Sequence, residues 1–179
     1  MNTENLFLNK PHILHHFDDE LIHLHQLALN MMHQVVHQWD LVLESLDDGN
    51  LELAVDVIAH CRETHHCEDE IEQAVLTFLA KASPVASDLR MVLSISKIAV
   101  ELKYLSDEAS EIAKLILILD EPRHGIVNAQ LIKDIRYGFL CIHSLLNHLT
   151  NAVGSMEMNP PQHLMTFDTQ CNQAIQDGI

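Results

Sequence analysis

Residues Pro84 to Leu119, PVASDLRMVLSISKIAVELKYLSDEASEIAKLILIL, decide the fold. Within them Ile95, Ile98, Leu102, Leu105, Ala109, Ile112, Ile116 and Leu119 recur at alternating steps of three and four, the apolar seam of a helix packed along its length against antiparallel neighbours. Ser83 and Pro84 mark its start: a hydroxyl can accept an orphan N–H, and proline at the first helical position lacks the N–H that would go unsatisfied there. No glycine or further proline occurs before Pro122, so one helix of this whole length is predicted. Lys103 sits one position round from the seam, and Asp107 one turn further on.

Leu51 to about Ala82 reads as a preceding helix. Before it, Leu21, Leu24, Ala28, Met31, Val35 and Val42 follow at heptad-like steps, with Asp18, Asp19 and Glu20 suited to the positive end of a helix dipole near Phe17. The turn cluster Asp47-Asp48-Gly49-Asn50 separates these two helices. Connections this short force antiparallel neighbours, so residues 16–121 are expected to form an antiparallel three-helix bundle, preceded by a loose lead-in over residues 1–15. After the break at residues 120–125, Asn128 to about Met156 reads as a fourth helix on the apolar line Leu131, Ile135, Phe139, Ile142, Leu146, Leu149 and Val153. Pro160-Pro161 stops it, and a fifth begins at about His163. Residues 126–179 therefore read as the first two helices of a second, partial bundle lacking its last helix.

Composition agrees with an all-α fold: apolar residues make up 47% against 20% charged, aromatics only 4%, and the five glycines and five prolines cluster outside the periodic runs. A formal net charge of −16 argues against nucleic acid or an anionic membrane surface as a partner. No apolar run reaches the length of a membrane span, and the first residues lack the basic start and cleavage site of a signal peptide, so a cytoplasmic protein is expected. Cys61, Cys67, Cys141 and Cys171 show no paired spacing and are expected as free thiols.

Cys61, His65, Glu68 and Glu72 are spaced four, three and four along the second helix, one stripe that continues into the core-type residues Val75 and Leu79. Carboxylates leading into a core need cations or donors. Two readings stand: a metal site, with oxygen for hard cations and imidazole and thiolate for softer ones, or the solvated edge of an acidic helix. Antiparallel pairing brings Glu68 near the level of Lys103, with Asp107 within two turns. Histidines are numerous, at fourteen; His23, Asn30, His33 and His37 share a stripe opposite the core line, where solvation is the expected state. The pairs Glu20/His23 and Glu63/His66 have the spacing of di-iron bundles but lie about 15 Å out of level. No phosphate cradle or nucleophile elbow occurs, so no enzymatic activity is predicted.

The segments Pro84-Val85-Ala86-Ser87-Asp88-Leu89-Arg90, Ile95-Ser96-Lys97 and Glu101-Leu102-Lys103-Tyr104-Leu105-Ser106-Asp107 resemble the PhoU family of phosphate-uptake and phosphate-regulon regulators. The resemblance implies two similar three-helix bundles in tandem, frequently in a homodimer. It also implies a non-enzymatic negative regulator in phosphate homeostasis, a cytoplasmic adaptor between the ATPase of the phosphate ABC transporter and a sensor histidine kinase. Family metal sites use Glu-x-x-x-Asp motifs, which implies a divalent or iron-type ion held in the first bundle by Glu68, Glu72 and Asp107; the stripe of the second helix offers His65 and Cys61 as extra ligands. Lys103 stands where the family has glutamate, and an ammonium there is expected to pair with Glu68 or Glu72 in place of the ion. The alternative reading is a carboxylate- and histidine-rich metal-binding or metal-storage bundle.

Overall fold

A computed structural model describes residues 10–81, 84, 86–119 and 129–154, and among these the chain is all-α: α1 Lys10–Asp48, α2 Leu51–Lys81, α3 Ala86–Leu119 and α4 Ala129–Gly154. The expected fifth helix lies outside the described residues. Helices α1, α2 and α3 pack pairwise as the antiparallel three-helix bundle, and among the described residues α4 lies beside α1 alone.

Two boundaries differ from the sequence reading. Helix α1 begins at Lys10, inside the expected lead-in, with Pro11 in the first turn, where a missing backbone N–H breaks no helical bond. Helix α3 begins at Ala86, so Pro84 precedes the helix instead of opening it. The α1–α2 turn follows its chemistry. Gly49 takes a left-handed φ of 65°, Asn50 Oδ1 accepts the Glu52 N–H as the cap of α2, and Ser45 Oγ donates to the Asn50 carbonyl at 2.9 Å.

The buried line of α3 is Val92, Ile95, Ala99, Leu102, Ser106, Ala109 and Ala113. It shares Ile95, Leu102 and Ala109 with the predicted seam, while Ile98, Leu105, Ile112 and Ile116 are partly buried at its margin and Leu119 is exposed. The face has rotated toward small residues, because Ala99, Ser106, Ala109 and Ala113 let the neighbouring backbones approach closely. On α2 the buried line is Ala54, Val57, Thr64, Ile71, Val75 and Phe78.

Helix α1 is buried on two sides. Leu24, Ala28, Met31, Val35 and Val42 fill the bundle core as predicted, and Trp39, almost fully buried, packs edge-on against Phe139 of α4 at 5.6 Å between ring centroids. Burial of a side chain this large contributes about 3 kcal/mol or more. Its Nε1 donates to the Leu105 carbonyl, while Gln38 Nε2 donates to the carbonyls of Val57 and Ser106, so two α1 side chains tie both neighbouring helices. In the same layer Gln38 Oε1 and Ser106 Oγ are buried without a protein partner. Helix α4 runs antiparallel to α1: His25 Nε2 donates to the Val153 carbonyl, His143 meets Asp40 and Arg136 meets Asp47.

Candidate functional site

The chemistry-bearing side chains gather between α2 and α3, and the seams explain which of them meet. The α2 seam steps from Val57 by four to Cys61, by three to Thr64, by four to Glu68 and by three to Ile71. Cys61 and Glu68 therefore lie on the seam itself, and His65 lies beside it. From Glu68 the buried face proceeds to Ile71 and not to Glu72, which is consequently exposed. On α3, Lys103, Asp107 and Ser110 each follow a buried seam residue and project toward the same interface.

Antiparallel register then forms two adjacent levels. Nearer the α2–α3 connection, Lys103 Nζ donates to Glu68 Oε2 at 2.9 Å, and the Glu68 side chain is only 12% exposed. This hydrogen bond, followed by the surrounding carboxylates, raises the Lys103 pKa above its ordinary value despite partial desolvation, so the ammonium stays charged. One turn further along, His65 Nε2 donates to Asp107 Oδ1 at 2.7 Å and the Cys61 thiol donates to the same oxygen at 3.3 Å, while Cys61 Sγ and His65 Nε2 stand 3.7 Å apart. Burial pushes the Asp107 carboxyl up, but the hydrogen bonds from His65 and Cys61 and the charges of His65 and Lys103 outweigh it, and the group titrates below the usual range. Burial, then the hydrogen bond to Asp107, raises the Cys61 thiol above its ordinary value.

Convergence on one point distinguishes this cluster from a nucleophilic relay. In a Cys-His-Asp relay the thiol and the carboxylate address opposite nitrogens of the imidazole, whereas here both approach Nε2 and Asp107 also receives the thiol. A thiol with a raised pKa is also the opposite of an activated one. Among the described residues, this is the one group of three or more thiol, imidazole and carboxylate donors close enough to share an ion.

The residues predicted to hold metal thus separate. Asp107 comes together with His65 and Cys61; Glu68 is taken by Lys103; Glu72 stands apart from both. The carboxylate ligand set implied by the family resemblance does not fit this chain, because an ammonium fills the space a cation would take between Glu68 and its α3 partner. The histidine stripe of α1 is exposed at His23, His33 and His37, with the His37 ring edge-on to His60 at 5.6 Å. Glu20 lies 3.6 Å from Lys81 and Glu63 bonds His60, so neither Glu-x-x-His pair builds a shared centre. Cys67 donates to Gln34 Oε1 across to α1, and burial raises its thiol as well. Cys61, Cys67 and Cys141 are free. Sequence reasoning missed the small polar residues of this layer, Thr64, Ser106 and Ser110, whose signal is their place in the three–four rhythm of apolar neighbours.

Comparison with known proteins gives one family throughout. The family model "PhoU domain" matches residues 28–116. The chain is 31% identical over 180 residues to a phosphate-specific transport system accessory protein PhoU homolog of Pseudomonas putida, covering 96% of this chain and 69% of that one. It is 31% identical over 144 residues to the phosphate-specific transport system accessory protein PhoU of Serratia marcescens, covering 80% of this chain and 59% of the relative, so it spans about three fifths of that protein's length. The crystal structure of the phosphate transport system regulatory protein PhoU from Streptococcus pneumoniae superposes with a TM-score of 0.73 at 26% identity, over 88% of this chain and 72% of that one.

Proposed function

Because the chain belongs to the PhoU family, we propose that it is a non-enzymatic regulator of phosphate uptake and phosphate-regulon signalling. In this reading it acts on the cytoplasmic side, as a homodimer, as an adaptor between the ATPase of the phosphate ABC transporter and a sensor histidine kinase. The observation that carries the proposal is the alignment of nearly the whole chain with a phosphate-specific transport accessory homolog at 31% identity. Two features of the molecule support it. Among the described residues, no helix is long and apolar enough to cross a membrane, which suits a protein that works on membrane partners without entering the bilayer. The formal charge of −16 suits docking to basic protein surfaces.

Metal storage is the weaker reading. Thiol, imidazole and carboxylate donors converge at one place among the described residues, which suits a single ion and not a store. The adaptor proposal is tested by affinity purification of the tagged chain from detergent-solubilised cells under high and low phosphate. Transporter ATPase and kinase are expected to co-purify in a phosphate-dependent manner; recovery of neither under either condition overturns it.

A further inference from the structure

Cys61, His65 and Asp107 offer sulfur, nitrogen and oxygen within 4.8 Å of one another, from two turns of α2 and one of α3. We propose that these three residues form a binding site for one divalent transition-metal ion of the zinc class, displaced one turn from the level where Glu68 and Lys103 pair. The ion would bridge α2 and α3.

The spacing fits the chemistry. With bonds of about 2.3 Å to sulfur and 2.0–2.2 Å to nitrogen and oxygen, tetrahedral ligands stand about 3.6 Å apart for sulfur–nitrogen or sulfur–oxygen pairs and about 3.4 Å for nitrogen–oxygen. Cys61 Sγ lies 3.7 Å from His65 Nε2 and 3.3 Å from Asp107 Oδ1, so two of the three edges already have nearly this length. The third, the His65–Asp107 hydrogen bond at 2.7 Å, would open by about 0.7 Å as the ion replaces the shared proton. Asp107 and His65 side chains are each 42% exposed, which leaves an entry path and a fourth position for water. On binding, the Cys61 thiol gives its proton to solvent and the sulfur–metal bond forms in its place. His65 binds through a lone pair at Nε2, its proton moving to Nδ1.

Charge balance also favours the site. One thiolate and one carboxylate neutralise a divalent ion, and imidazole adds no charge. Lys103, whose charge would repel the ion, is held at the next level by Glu68. A thiolate and an imidazole select a borderline-soft ion such as zinc over magnesium or calcium, which take oxygen ligands. The inference stands on these contacts alone and does not depend on the phosphate-transport reading.

The test is titration of cobalt(II) alone, as a coloured stand-in for zinc, into the full chain freed of metal by a chelator. One equivalent should produce the intense visible bands of four-coordinate cobalt together with a near-ultraviolet thiolate charge-transfer band, and zinc should bleach both. Cys61→Ser is expected to remove the charge-transfer band and His65→Gln to weaken binding at least tenfold, with Cys67→Ser retaining the full spectrum. Circular dichroism verifies that each variant is folded. Absence of the charge-transfer band in the unsubstituted chain, or its survival in folded Cys61→Ser, overturns the proposal.

Discussion

Two neighbouring turns of the α2–α3 interface hold similar residues in opposite roles. At one, Glu68 and Lys103 close on each other at 2.9 Å with Glu68 nearly buried, a level that satisfies itself. At the next, Cys61, His65 and Asp107 place three donor atoms around one point, with the carboxylate accepting from both partners and, among the described residues, no lysine or arginine paired with it. The difference shows how one residue redirects a site. Lysine at 103 converts its level from ligand to ion pair, and the sulfur and nitrogen donors one turn away leave Asp107 as the only carboxylate of the implied set still grouped with other ligands.

The sharpest way to break this contrast is Lys103→Glu. It sets two carboxylates against each other where the pair now stands, and because Glu68 is largely shielded from water the loss in metal-free urea unfolding should be about 2 kcal/mol. Millimolar manganese or magnesium should recover part of that loss in the variant and have no comparable effect on the unsubstituted chain, since only the variant presents two oxygen ligands there. Asp107→Asn tests the other level with a smaller effect. It weakens the acceptor shared by His65 and Cys61, but both Asp107 and His65 are substantially exposed, so about 1 kcal/mol is expected by the same measurement.

Much of this arrangement was legible in the sequence. The rhythm from Ile95 to Ile116, the turn at Gly49 and the short connection after Lys81 led to the antiparallel bundle, and a lysine at 103 led to a pair with Glu68 or Glu72. What periodicity could not reveal was the rotation of the faces. Ala99, Ser106 and Ala113 carry little hydropathy, yet their smallness allows close backbone approach, so the α3 seam turned toward them and left Leu119 exposed. On α2, the stripe shares Cys61 and Glu68 with the buried seam but takes His65 where the seam takes Thr64 and Glu72 where it takes Ile71, which is why Cys61 and Glu68 face inward together while Glu72 does not. The α4 contact of Trp39 was hidden for another reason: a helix buried on two sides has no single apolar stripe to read.

The donor set proposed for the ion lies at Cys61, His65 and Asp107 and not at the Glu68 level. Zinc retained by the protein, measured by elemental analysis after dialysis against micromolar zinc and a brief exchange into metal-free buffer, tests this in Glu68→Gln and Cys61→Ser side by side. Close to one zinc per chain is expected in Glu68→Gln, as in the unsubstituted protein, and almost none in Cys61→Ser. Zinc lost from Glu68→Gln but kept by Cys61→Ser would contradict it.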